Sequence, residues 1–144
     1  MKQVLIMAAF ALVLTAHAHA QMLKPAQVPA AAKATFKAKF PAVTSNTWEK
    51  EGDTYEAGFK QNGTTMSALI TPAGGLIETE SDMSPAKLPA AIRAKLASDY
   101  KAYKVTEAAM LVSADGKTTY EAEVSRGGKH QDVVFNTDGS LAKK

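Results

Sequence analysis

The sequence predicts an α+β fold: a tandem repeat of one helix plus about four antiparallel strands, joined into one sheet with both helices packed on the same face. Three observations carry this expectation. Thr54-Tyr55-Glu56-Ala57 recurs as Thr119-Tyr120-Glu121-Ala122, and the same spacing superposes Gly63 on Gly128, Ile70 on Phe135, Gly74 on Gly139 and Leu76 on Leu141. A helical plan beginning at Val28-Pro29-Ala30-Ala31 returns at Leu88-Pro89-Ala90-Ala91. Between helix and repeat end, apolar residues alternate with polar ones at the period of half-buried strands. Internal repetition of this kind is foremost an architectural signal.

The first twenty residues are set apart from the fold. Lys2 provides a short positive region, Val4 to Leu14 an apolar run, and Ala18-His19-Ala20 a small-x-small cleavage site. This is the pattern of a secretory signal peptide cleaved near Ala20-Gln21, with an apolar run shorter than the ~20 residues of a membrane span. A periplasmic or secreted protein without membrane insertion is expected. The chain has no Cys, hence no lipoprotein attachment site and no disulfide framework. Removal of residues 1–20 leaves a single domain, 21–144, of two repeats at about 28–80 and 88–143. Removing Lys2 from the 17 Lys and Arg leaves 16 against 14 Asp and Glu. Both signs are interspersed, so neither nucleic acid nor an anionic membrane surface is implied as partner.

Gln21 to Gln27 reads as a short mobile leader. Pro29, tolerated at a first helical position, opens a helix whose apolar stripe is Val28, Ala32, Phe36 and Phe40, and Pro41 ends it. In the second copy the stripe is Leu88, Ile92, Leu96 and Tyr100. A strand from Asn46 to Lys50 precedes the Glu51-Gly52 turn, and one from Ala108 to Ser113 precedes Asp115-Gly116. The hairpins follow. Asn62-Gly63 is a type I′ turn signal, which sets Phe59 opposite Met66, Ala57 opposite Ala68 and Tyr55 opposite Ile70. Gly127-Gly128 likewise sets Tyr120 opposite Phe135, Ala122 opposite Val133 and Val124 opposite Gln131, the last pair making a wetter end. Tyr55 and Tyr120 are expected beneath the helices. Short strands Leu76 to Glu80 and Leu141 to Lys143 close the copies, and Ser81 to Lys87 is the linker. Each copy is small to stand alone, so the two are expected to form one cooperative unit.

The layout Val28-Pro29, Phe36, Phe40-Pro41, Trp48-Glu49, Tyr55-Glu56-Ala57-Gly58-Phe59, Asn62-Gly63, Gly74-Gly75, Glu78-Thr79-Glu80 and Leu88-Pro89 resembles the PepSY-like family of exported bacterial proteins, described as β-lactamase-inhibitor-like. The resemblance covers nearly the whole mature chain. It implies a tandem helix-plus-four-strand fold, a periplasmic or secreted setting and no assigned enzymatic activity. It transfers no functional residue, because it rests on Pro, Trp, Tyr and Gly positions, and fold does not carry function.

The residues themselves offer little chemistry. Without Cys, and with His130 the sole mature histidine, no nucleophile–base–orienter set can be assembled. No metalloprotease, EF-hand, phosphate-loop or nucleophile-elbow motif occurs, so no enzyme and no cofactor is expected. Glu78, Glu80 and Asp82 recur at period two. They are three candidate Ca²⁺ ligands where six or more oxygens are wanted, and otherwise a solvated strand end that discourages edge pairing. Trp48 is expected to pack against Tyr55 or the first helix; exposed, it would be a binding hot spot. The candidate interaction face is the sheet face away from the helices, with Glu56, Leu69, Glu121, Glu123, His130, Asp132 and Val134. There His130 can pair with Asp132, and Leu69 with Val134 can form an apolar centre in a charged rim. The expected function is an exported, non-enzymatic binding or inhibitor-like module recognising a protein or peptide through that face. The alternative is a small-ligand or metal-binding periplasmic protein that uses Glu78 to Asp82.

Overall fold

The computed structural model describes residues 21–142; the proposed signal peptide and Lys143 lie outside them. The strands are β1 (Gln21–Met22), β2 (Asn46–Glu51), β3 (Thr54–Gln61), β4 (Thr64–Ile70), β5 (Leu76–Met83), β6 (Lys104–Ser113), β7 (Thr118–Arg126) and β8 (Lys129–Asn136). All pair antiparallel in one eight-stranded sheet whose order follows the chain. Helix α1 (Ala30–Lys39) lies between β1 and β2, and α2 (Ala90–Asp99) between β5 and β6.

Both hairpins have the expected register. Tyr55 faces Ile70 and Phe59 faces Met66 in one, while Tyr120 faces Phe135 and Ala122 faces Val133 in the other. The turns explain why. Asn62 and Gly63 have φ of 51° and 79°, Gly127 and Gly128 of 59° and 75°. Two positive φ values twist a two-residue loop in the sense that right-twisted strands require.

Because side-chain direction alternates along each strand and is shared by cross-strand neighbours, the register divides the sheet into two faces. Helix α1 covers Trp48, Ala57, Phe59, Ala68 and Ile70 with Ala32 and Phe36. Helix α2 covers Ala108, Ala122, Val124, Val133 and Phe135 with Ile92 and Leu96. Ladder parity places both sets on the same face. Ala57, Ala68 and Ala122, all with no exposed surface, are small enough to let the helices approach the strands. The first cluster is aromatic: Phe36 meets Phe40, Trp48 and Phe59 at ring separations of 5.3, 5.6 and 5.2 Å. Each such pair contributes ~0.5–1.5 kcal/mol beyond its buried area. Trp48 is thus buried against the first helix, one of its two expected positions.

Several elements differ from the sequence expectation. The leader Gln21 to Gln27 is built into the fold: Gln21 pairs with Lys50, Met22 with Glu49, and Pro25–Gln27 forms a 3-10 turn. Pro29 caps α1 and does not lie within it. Strand β5 continues to Met83, so Ser81 to Met83 are strand and not linker, because β6 offers a partner for every residue from Glu78 to Met83. Where a strand from Leu141 to Lys143 was expected, an isolated bridge joins Phe135 to Leu141 and the Ala142 N–H donates to the Val134 carbonyl oxygen among the described residues, Lys143 lying outside them. Tyr55 and Tyr120 are half-buried at the cluster margins. Conversely, Val124 is fully buried although Gln131 opposite it is exposed, since α2 covers the β7 side of that pair.

The turn after each hairpin is pressed against a helix. Gly74 (φ 89°) and Gly139 (φ 85°) lie under the first turns of α1 and α2. There a Cβ would come within 3.0 Å of the Ala31 carbonyl oxygen and 2.9 Å of that of Ala91. Gly116 has the same φ of 85° and open space around it, which separates backbone strain from collision. Gly116→Ala is expected to cost ~1–2 kcal/mol, the penalty of the left-handed region. Gly139→Ala is expected to cost measurably more in urea unfolding, and equal losses would show that the helix contact yields freely.

Candidate interaction face

The uncovered face is a lattice of cross-strand rows. One row runs Glu49, Glu56, Leu69, Glu78 and Ser113, from β2 to β6. The next contains Ser67, Glu80, Leu111 and Thr119. A third contains Asp82, Ala109, Glu121 and Val134, and a fourth Glu107, Glu123 and Asp132. Most of the chain's 14 Asp and Glu therefore stand on one side of the sheet. The net charge of +3 conceals this separation, because α1 carries Lys33, Lys37 and Lys39 and α2 carries Arg93 and Lys95 on the opposite side.

Several carboxylates face one another directly: Glu49 and Glu56, Glu107 and Glu123, Glu123 and Asp132. Like charges in directly opposed positions destabilise a sheet. At one end the repulsion is relieved locally. His130 Nδ1 lies 2.8 Å from Glu123 Oε1, and the Thr106 hydroxyl donates to the same carboxylate oxygen. Asp132 is thus not the partner of His130; the β7–β8 ladder brings Glu123 within its reach.

At the centre the repulsion persists. Glu80 is pushed up to about 7, by burial first and then by the charges of Glu121, Glu56, Asp82 and Glu78. Glu78 is raised by burial and by Glu51. Two grooves of ≈ 300 Å³ each adjoin at Glu80 and Asp82, one towards Glu56 and Ser67, the other towards Glu107 and Glu121. A third, of ≈ 360 Å³, runs beside Leu111 between Glu78 and Val134.

All seven residues singled out in the sequence lie on this face, but they do not form the expected centre. Leu69 on β4 and Val134 on β8 are separated by three strands. The buried apolar residues between them are Ala109 and Leu111, 4% and 7% exposed. These were not legible, since β6 is apolar on both sides from Ala108 to Val112, a run in which alternation says nothing about face. The acidic triplet is likewise misplaced by sequence alone: Glu78, Glu80 and Asp82 share one side, as the spacing requires, yet occupy the middle of the sheet and not a strand end. Among the described residues no group of three or more His, Cys, Asp or Glu is placed to hold a metal. Likewise, no described helix is long and apolar enough to cross a membrane.

The raised Glu80 makes stability depend on pH. A carboxyl group with a folded pKa above its unfolded value binds more protons in the folded state. Its stabilising effect is complete below about 4.5 and is lost as pH rises towards 7. Glu80→Gln is therefore expected to raise the melting temperature at pH 8 and to change it little at pH 4.5. An equal effect at both pH values would mean that Glu80 is not held in its neutral form.

Neither a protein-family model nor a curated protein matches the chain. Solved structures do. A Bacteroides eggerthii protein provisionally described as periplasmic is 18% identical, with a TM-score of 0.71 over 81% of this chain and 86% of that one. A DUF2874 family protein from Bacteroides ovatus is 21% identical, with a TM-score of 0.70 over 81% and 85%. A BLIP-like protein from Bacteroides fragilis is 22% identical, with a TM-score of 0.64 over 81% and 84%. At such identities the likeness concerns the fold, and the fold is BLIP-like: one antiparallel sheet of eight strands with two helices.

Proposed function

We propose that the chain is an exported, non-enzymatic binding module of the PepSY-like type that recognises a basic protein or peptide through its open sheet face. The observation that carries this reading is the set of carboxylates opposed to carboxylates across the strands. A stable sheet has no use for such pairs, and departures from local stability rules concentrate where function requires them. A cationic partner would relieve the repulsion, lower the cost of keeping Glu80 ionised and draw encounter through the long-range field. Glu56, Glu121, Glu123 and Asp132 form the charged contacts in this reading, Leu69 and Val134 two separate apolar footholds, and His130 the modulated end. A periplasmic or secreted setting follows from the signal-peptide pattern cleaved near Ala20-Gln21 and agrees with the description of the Bacteroides eggerthii neighbour. The BLIP-like neighbour makes protein recognition a natural use of the fold.

The chain is read as one domain of two helix-plus-strand repeats. The matching contacts of Gly74 with Ala31 and of Gly139 with Ala91 support this, as does the six-pair ladder between β5 and β6 that couples the halves.

Capture from a periplasmic extract tests the function. The wild-type chain is expected to retain basic proteins, with retention falling as salt rises. Glu56→Lys combined with Glu121→Lys should abolish that retention while leaving the melting temperature unchanged or higher. Equal capture by wild type and charge-reversed variant would overturn the acidic face as the recognition surface.

A further inference from the structure

The two halves bury unequal side chains at equivalent positions. Phe36, Trp48 and Phe59 of the first half correspond to Leu96, Ala108 and Val124 of the second, by helix spacing and ladder register. In the first half, rings fill the space between the C-terminal half of α1 and the sheet, with Phe40 and Phe59 only 4.5 Å apart. In the second, Tyr100 occupies the place of Phe40 and meets Phe135 at 6.5 Å and Tyr103 at 5.8 Å. Beside α2, where Leu96 stands in place of Phe36, lies an open groove of ≈ 400 Å³ with an apolar wall of Pro85, Leu88, Leu96, Ala97, Tyr103 and Val105.

The rim of this groove is cationic. Arg93 and Lys101 belong to its wall, and the Arg126 guanidinium lies over the Tyr103 ring at 5.7 Å. Arg93 Nε donates to the Leu88 carbonyl oxygen at 3.0 Å, which anchors the side chain at the groove. Among the described residues no carboxylate lines it; the nearby Asp99 is engaged by Lys95 at 2.7 Å. An apolar floor with cations at its edge complements a molecule that joins a hydrocarbon body to a negative head.

We infer that the groove beside α2 binds a small apolar carboxylate, its hydrocarbon body lying along Leu88, Leu96 and Val105 and its carboxylate meeting Arg93 and Lys101. The volume is at the lower end for small-molecule sites. A protein partner would need roughly 800 Å² of contact on its side, more than a groove of this size provides. The site lies on the helix side of the sheet and adjoins the acidic groove at Pro85, with a different set of side chains otherwise.

Decanoate is a suitable probe, with decanol as its uncharged counterpart, followed by amide chemical shifts of the isotope-labelled protein. Decanoate is expected to shift Leu96, Ala97, Tyr103 and Val105 saturably, and decanol to bind about tenfold more weakly or worse, as loss of a charge-assisted contact implies. Lys101→Gln, at an exposed position, should weaken decanoate but not decanol. Ala97→Phe should obstruct both without lowering the melting temperature. Glu80→Gln should leave binding intact. Absence of shifts at millimolar decanoate, equal affinity for decanol, or shifts scattered away from α2 would overturn the inference. Tighter binding in the groove of a peptide with an apolar C-terminal residue would overturn the small-molecule assignment in particular.

Discussion

Strand parity, pinned by two turns, is the constraint on which the rest of this structure depends. With positive φ at both residues of Asn62-Gly63 and Gly127-Gly128, each hairpin has one register. A slip of a single residue would turn every side chain to the other face. Each remaining strand pairs with a neighbour already in register, so parity passes across the sheet, interrupted by register shifts between Leu69 and Ile70 in the β4–β5 ladder and between Val105 and Glu107 in the β6–β7 ladder. The helices then have one face to cover, and everything of opposite parity stays with solvent and any partner.

That division separates stability from recognition. The helix side holds two apolar clusters, each closed by a ten-residue helix over small and branched strand residues. Between them the inner side of β5 presents Thr79 and Ser81, both half-buried, so the clusters meet at a polar seam and the β4–β5–β6 ladders hold the halves together. The other face carries the carboxylates. Its centre combines burial with repulsion, and the two act together on Glu80: burial removes the water that would screen its neighbours' charges. An acidic surface around two buried apolar residues, Ala109 and Leu111, is costly to maintain in a free protein and suited to a cationic one in complex.

The halves share a backbone plan but not a packing. Rings fill the first helix–sheet interface, whereas aliphatic residues and one tyrosine pair leave the second partly open at its C-terminal end. At the positions of Ala32 and Ile70 the second half has the larger Ile92 and Phe135, both fully buried.

Local signals in the sequence were sufficient for the helices and the hairpin registers, because type I′ turns, proline boundaries and side-chain alternation act over a few residues; that Trp48 packs on Phe36 of the first helix was decided by the tertiary structure. Local signals also put Glu56, Glu121, Glu123, His130 and Asp132 on the correct face, since parity is local once the turn is known. What required the tertiary structure was every relation between strands distant in sequence. Only the β5–β6 ladder moved Glu78, Glu80 and Asp82 from a strand end to the centre of the sheet. Only strand order separated Leu69 from Val134 and set Ala109 and Leu111 between them. The contact of His130 with Glu123, by contrast, lies within the β7–β8 hairpin and is a local relation. Sequence alone determined which residues share a face, through a period of two; the order of the strands decided which of them are neighbours, and electrostatics and burial depend on neighbours.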